Sequence, residues 1–124
     1  MQRFLIFTAL ACLTACSLQE KDVAGYWQAV SFFENGKTVI ANSLNLDAVS
    51  LKLTPEGGFE FHSQGSYYET GTYRVSARYL FLTDTTRYPA KEHVVKVLHL
   101  SADTLKIQMS QDNKEQVLFL ARRE

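Results

Sequence analysis

Apolar and polar residues alternate along most of the chain after residue 25, in short runs separated by turn residues. Val49, Leu51 and Leu53 fall on one face of an extended segment, and so do Phe59 and Phe61. A period of two is typical of a β-strand with one buried face. The same pattern predicts further strands in segments 26–33, 37–41, 68–75, 79–82, 93–100, 104–109 and 116–121.

Turn residues lie between these runs at regular spacing. Asn35-Gly36 is a strong two-residue hairpin signal, the sequence TPEGG fills positions 54–58, and Asp112-Asn113-Lys114 separates the last two runs. Segment 42–48 reads either as a loop or as a single helical turn. Eight or nine short strands in roughly 100 residues are typical of an antiparallel barrel or sandwich. We therefore predict an all-β fold, a single antiparallel up-and-down barrel of about eight strands.

The first residues follow a different pattern. Arg3 precedes an apolar run from Phe4 to Leu13, and the small residues Thr14 and Ala15 follow it. This order is typical of a secretory signal peptide, and the run is shorter than the roughly 20 residues of a membrane-spanning helix. Polar and charged residues begin directly after Cys16.

The sequence Leu13-Thr14-Ala15-Cys16 resembles the lipobox of bacterial lipoproteins. The resemblance implies a lipid on the Cys16 sulfur, cleavage before Cys16 and acylation of its amino group, with palmitate as the expected chain. Because Ser17 follows and not Asp, it implies the outer membrane of a Gram-negative cell envelope. The predicted organisation is a signal peptide (1–15), a lipidated N-terminus and tether (16–22) and a barrel domain (23–124).

Composition narrows the chemistry of this domain. Lys and Arg balance Asp and Glu at thirteen each, which gives no indication of nucleic-acid binding. Cys12 would leave with the signal peptide and Cys16 would carry lipid, so no disulfide, thiol nucleophile or cysteine metal site is expected.

The order of motifs along the barrel resembles the small bacterial lipocalin-like lipoproteins. Gly25-Tyr26-Trp27 is similar to the Gly-x-Trp that opens their first strand, GTYRV at 71–75 to their central hairpin, and LSADTLKIQM at 100–109 to a pair of strands near their end. The resemblance implies a lipocalin-like barrel. It also implies that Gly25, Trp27 and Arg122 close one end, with the arginine lying across the indole ring.

Candidate catalytic and metal-binding residues do not form a recognisable motif. His93 and His99 share a strand phase but lie about 20 Å apart along an extended strand, and His62 is on a polar face. No serine lies in a Gly-x-Ser-x-Gly turn. The carboxylates at turns or outward phases are read as solvated: Glu56, Glu60, Glu69 and Asp84. We expect no enzymatic activity, no metal and no cofactor.

Two functions stay open for such a barrel. The interior is either a pocket for a small hydrophobic or amphiphilic ligand or a packed core in an envelope module that inhibits, protects or assists another protein. Barrels of about eight strands fit both interiors. Tyrosines at or near loops suggest a partner surface: Tyr67, Tyr68, Tyr79 and Tyr88. The ligand-binding residues predicted from strand phase are Phe32, Phe59, Phe61, Tyr73, Leu82, Val95 and Ile107.

Overall fold

The computed structural model describes residues 18–38, 46–63, 66–111 and 113–123. The predicted signal peptide and Cys16 lie outside the described residues. The strands are β1 (Gly25–Glu34), β2 (Lys37–Thr38), β3 (Ser50–Leu53), β4 (Gly58–His62), β5 (Tyr68–Ser76), β6 (Tyr79–Asp84), β7 (Lys91–Leu100), β8 (Thr104–Gln111) and β9 (Lys114–Arg123). A short helix α1 (Glu20–Val23) precedes them, and a 3₁₀ turn (Leu46–Ala48) precedes β3.

Eight of the strands form a closed antiparallel barrel. Each pairs with its neighbour in the order β1, β3 and then β4 to β9, and β9 returns to pair with β1 from Tyr26↔Arg123 to Glu34↔Gln116. The two-residue β2 pairs only with the end of β1. The structure thus confirms the predicted all-β, up-and-down barrel, and it is compatible with a lipocalin-like fold.

Turn chemistry explains why the chain reverses where it does. Asn35 and Gly36 both take positive φ, at 52° and 80°, as the predicted tight hairpin requires. Asn113 also takes a positive φ between β8 and β9. A register shift between Ala29 and Ser31 leaves Val30 exposed on β1, as expected of a β-bulge.

One half of the barrel interior is packed. Side chains that are at most 5 % exposed fill it: Val23, Trp27, Leu53, Tyr73, Leu80, Val97, Leu105 and Leu120. Among the described residues, the buried core cluster extends from Val23 to Leu120, and Leu18 packs against it.

The Trp27 ring lies at the centre of this closed end. Its indole nitrogen donates to the Val23 carbonyl oxygen at 2.9 Å, and the Arg122 guanidinium lies 4.3 Å from the ring centroid. A Cβ on Gly25 would collide with the Arg122 guanidinium, and the φ of +152° there also favours glycine. The three residues that the resemblance assigned to barrel closure are therefore in mutual contact.

Helix α1 covers the same end. The Glu20 carboxylate accepts a hydrogen bond from the Val75 amide at 2.8 Å, which lowers the pKa of Glu20. Val23 is fully buried. The last residues of the predicted tether, 20–22, thus lie in a helical turn against the barrel.

Candidate functional site

The other half of the barrel interior is a cavity of about 700 Å³ that opens at one end. Its wall is formed mainly by inward side chains from all eight barrel strands. The apolar lining consists of Phe32, Leu46, Val49, Leu51, Phe59, Phe61, Leu82, Val94, Val95, Ile107, Met109 and Leu118. Both the size and the apolar wall are typical of ligand pockets, which span about 300–1,000 Å³.

Strand geometry explains why the cavity lies at this end. Beyond Gln28, β1 no longer pairs with β3, and the 3₁₀ turn occupies the space beside them. The side-chain nitrogen Nε2 of Gln28 donates to the carbonyl oxygens of Leu46 and Val49, at 2.9 Å each, and so fixes this turn. Leu46 then faces the cavity from the turn.

One section of the cavity wall is polar. Tyr67, Glu69 and His93 line it, and Lys91 and Glu92 lie at its exposed edge. The Tyr67 hydroxyl donates to Glu69 Oε2, and this bond raises the pKa of Tyr67. The Nε2 atom of His93 lies 3.4 Å from the same carboxylate oxygen.

Arg87 links this section to a second buried carboxylate. Its Nη2 donates to the Tyr67 hydroxyl at 2.6 Å and lies 3.7 Å from Glu69 Oε2, and its Nε lies 3.1 Å from Asp84 Oδ2. Asp84 is fully buried. Burial opposes the ionisation of Asp84, but hydrogen bonds from the Thr86 hydroxyl and amide, together with Arg87, outweigh it and lower its pKa.

Six of the seven residues predicted to bind a ligand line the cavity: Phe32, Phe59, Phe61, Leu82, Val95 and Ile107. Tyr73, the seventh, is buried in the closed half. Its hydroxyl donates to the Thr54 carbonyl oxygen at 2.6 Å. Burial and the nearby carboxylate of Glu20 raise the pKa of Tyr73 to about 12.

The prediction that four carboxylates are solvated was wrong for two of them. Glu69 is 7 % exposed and Asp84 is fully buried, because Tyr67 and Arg87 from the loops at the open end supply partners. Strand alternation did place Glu69 on the inner face, since it lies four residues before Tyr73. That signal was available in the sequence.

The histidines are also distributed differently from the prediction. A register shift between Val97 and His99 on β7 changes the strand phase, so that His93 lines the cavity while His99 is exposed. His62 is exposed, as expected, and stacks beside Tyr68 with ring centroids 4.8 Å apart. Within the described ranges, no group of three or more His, Cys, Asp or Glu residues is placed to hold a metal ion.

The loop tyrosines do not form one rim. Tyr67, Tyr68 and Tyr88 lie at the open end, whereas Tyr79 begins β6 at the closed end. Tyr88, between β6 and β7, is fully exposed.

No helix in the part of the chain that the structure describes is both long and apolar enough to cross a bilayer. Comparisons with models of protein families, with curated proteins and with solved structures find no match.

Proposed function

We propose that this protein is a non-enzymatic, lipocalin-like lipoprotein that binds a small hydrophobic or amphiphilic ligand in its barrel. The observation that carries the proposal is the cavity of about 700 Å³, which lies above a tightly packed closed half. A packed interior would have favoured the interaction module instead. Transfer of apolar ligand surface from water into this wall is favourable by about 25 cal/mol per Å².

Native mass spectrometry tests this proposal directly. The predicted mature chain, with Cys16→Ser to prevent lipidation, would be purified without detergent and sprayed under non-denaturing conditions. We expect either a bound small molecule or displacement of a fluorescent apolar probe from the barrel by apolar competitors. An empty protein that also fails to bind the fluorescent probe would refute the proposal.

The proposed lipid anchor has a consequence for how the barrel is oriented. Leu18 packs against the core, and only Ser17 lies between it and Cys16, a reach of about 7 Å. Helix α1 follows Leu18 and covers the closed end. We therefore propose that the closed end faces the membrane, the outer membrane of a Gram-negative cell, and that the cavity opens away from it.

Tyr88 supports a second proposal, in which the open end also contacts another envelope protein. Its side chain is fully exposed beside the cavity mouth, and exposed tyrosines are favoured at interfaces. Crosslinking in cells, with Tyr88→Ala as the variant and Tyr79→Ala at the opposite end as the control, tests it. Loss of a specific crosslink in Tyr88→Ala alone would support this role, and identical crosslinks in all three proteins would exclude it.

A further inference from the structure

Glu69 is a buried carboxylate in a wall that is otherwise suited to apolar ligands. Its side chain is 9 % exposed, and the residue lines the cavity from β5. Burying a carboxylate is costly unless hydrogen bonds or opposite charges compensate for its lost hydration. The partners of Glu69 therefore indicate what the site is built to hold.

The compensation is concentrated on one of the two carboxylate oxygens. Oε2 accepts the hydrogen bond from Tyr67, and Arg87 and His93 approach the same atom. Among the residues that the structure describes, no hydrogen bond or ion pair engages Oε1 of Glu69. One oxygen of a nine-tenths-buried carboxylate is thus left to accept a further hydrogen bond.

His93 presents a second incomplete polar atom at the same place. Its Nε2 is buried and has no hydrogen-bond partner within the described segments, because the 3.4 Å approach to Glu69 lacks hydrogen-bond geometry. Buried polar atoms are normally paired, so the unpaired Nε2 of His93 beside the Glu69 carboxylate requires an explanation. A ligand group between them would complete both.

The charge balance selects the kind of group. Asp84 lies 3.1 Å from the Arg87 guanidinium and so offsets its charge, while Lys91 and Glu92 are a cation and an anion at the exposed edge. Glu69 therefore leaves this section of the wall with an excess of negative charge. An anionic head group would be repelled there, whereas a hydrogen-bond donor would be attracted.

We propose that Glu69 and His93 form a subsite for the donor head group, an alcohol or a primary ammonium, of an otherwise apolar ligand. This inference rests on the proposed ligand-binding function. A hydroxyl would donate to the Glu69 carboxylate and exchange a second hydrogen bond with His93 Nε2. An ammonium would donate to the Glu69 carboxylate, and to Nε2 in the tautomer whose proton is on Nδ1, and would add charge attraction, which strengthens a hydrogen bond.

Three probes with the same alkyl chain test the subsite: dodecylamine, dodecanol and dodecanoate. Each would displace a fluorescent apolar probe from the predicted mature chain with Cys16→Ser, and each would be used below its own aggregation concentration. We expect the amine and the alcohol to bind more tightly than the acid. Glu69→Gln should weaken dodecylamine binding by about tenfold to a hundredfold, the range for a hydrogen bond to a charged group. The variant should also discriminate less between dodecylamine and dodecanoate than the wild type does.

Matched controls separate this effect from a general loss of charge or structure. Glu60→Gln removes a carboxylate from the next strand outside the cavity, and His62→Gln is the exposed counterpart of His93→Gln. Both controls should bind all three probes as the wild type does. His93→Gln should weaken alcohol binding with less effect on the acid.

The outcomes distinguish this inference from the proposed function. If none of the probes binds the wild type, the ligand-binding function fails and the subsite with it. If the wild type binds dodecanoate at least as tightly as the amine and the alcohol, or if Glu69→Gln leaves the preference unchanged, the cavity binds ligands but the subsite is refuted. The wild-type preference decides the matter even if a variant fails to fold.

Discussion

Truncation of Arg122 should destabilise the barrel more than truncation of Arg123, its neighbour in sequence. The Arg122 guanidinium lies 4.3 Å from the centroid of the buried Trp27 ring. Its Nε donates to the Ala102 carbonyl oxygen at 2.6 Å, and its Nη1 to that of Ala24 at 2.8 Å. The Arg122 side chain thus connects β9 to the residue before β1 and to the turn between β7 and β8.

The magnitude follows from these three contacts. A cation–π contact contributes about 0.5–1 kcal/mol at an exposed site. Each hydrogen bond adds about 1 kcal/mol, at the low end for charged donors because Arg122 is exposed. Arg122→Ala should therefore lower the free energy of unfolding by about 2–3 kcal/mol, which lowers the Tm of a domain of this size by about 10–20 °C.

Urea denaturation followed by circular dichroism measures this difference. Arg123→Ala is the matched control, since Arg123 lies outside the barrel, 5.3 Å from the Tyr26 ring centroid, with one hydrogen bond to Gln28. By the same values the control should cost about 1–2 kcal/mol, because it loses only one hydrogen bond and a more distant cation–π contact. Equal losses in the two variants, or no loss in Arg122→Ala, would refute the account of the closed end.

Three further predictions follow from local geometry and from the proposed anchor. Gly71→Ala should lower the free energy of unfolding by about 2 kcal/mol or more in thermal denaturation, because the new Cβ would collide with the Thr83 carbonyl oxygen. The control Thr72→Ala, on the outer face of the same strand, should leave it nearly unchanged. The pKa of Tyr73 is raised to about 12 from 10.0, so the folded state keeps its proton where the unfolded state has lost it, and stability should fall by on the order of 2 kcal/mol as the pH rises between these values. Tyr73→Phe should show a correspondingly smaller alkaline loss, and an unchanged loss would contradict the assignment. Cys16→Ser should move the protein from the membrane fraction to the soluble fraction with its circular dichroism intact, whereas retention in membranes would argue against the lipid anchor.

The sequence pattern was sufficient to predict the barrel, because apolar and polar residues alternate clearly in its strands and typical turn residues separate them. Val49, Leu51 and Leu53 are all buried, as their phase predicted, and the Asn35-Gly36 turn takes the backbone angles expected of it. Strand phase also selected six residues that line the cavity. It placed Tyr73 among them because phase identifies the inner face but not the height along the barrel axis.

The contacts in the polar section of the cavity wall could not be predicted from strand alternation. Glu69 and Asp84 were assigned to solvent because their partners, Tyr67 and Arg87, lie in loops that strand periodicity does not position. His93 was paired with His99 by phase, but a register shift on β7 separates their faces. Such partners and bulges arise from tertiary structure. The inward position of Glu69 followed from strand alternation with Tyr73, whereas its partners could not be predicted.

The most direct test of the central proposal compares two tryptophan substitutions at adjacent positions of β6. Leu82 lines the cavity, whereas Phe81 lies outside it, with the Arg74 guanidinium 4.1 Å from its ring centroid. Leu82→Trp would place a larger side chain in the cavity, and Phe81→Trp would change only the outer surface. With both variants folded by circular dichroism, we expect Leu82→Trp to weaken binding of a fluorescent apolar probe at least about tenfold and Phe81→Trp to bind it as the wild type does. Equal binding by all three proteins would show that the probe does not occupy the barrel and would contradict the account.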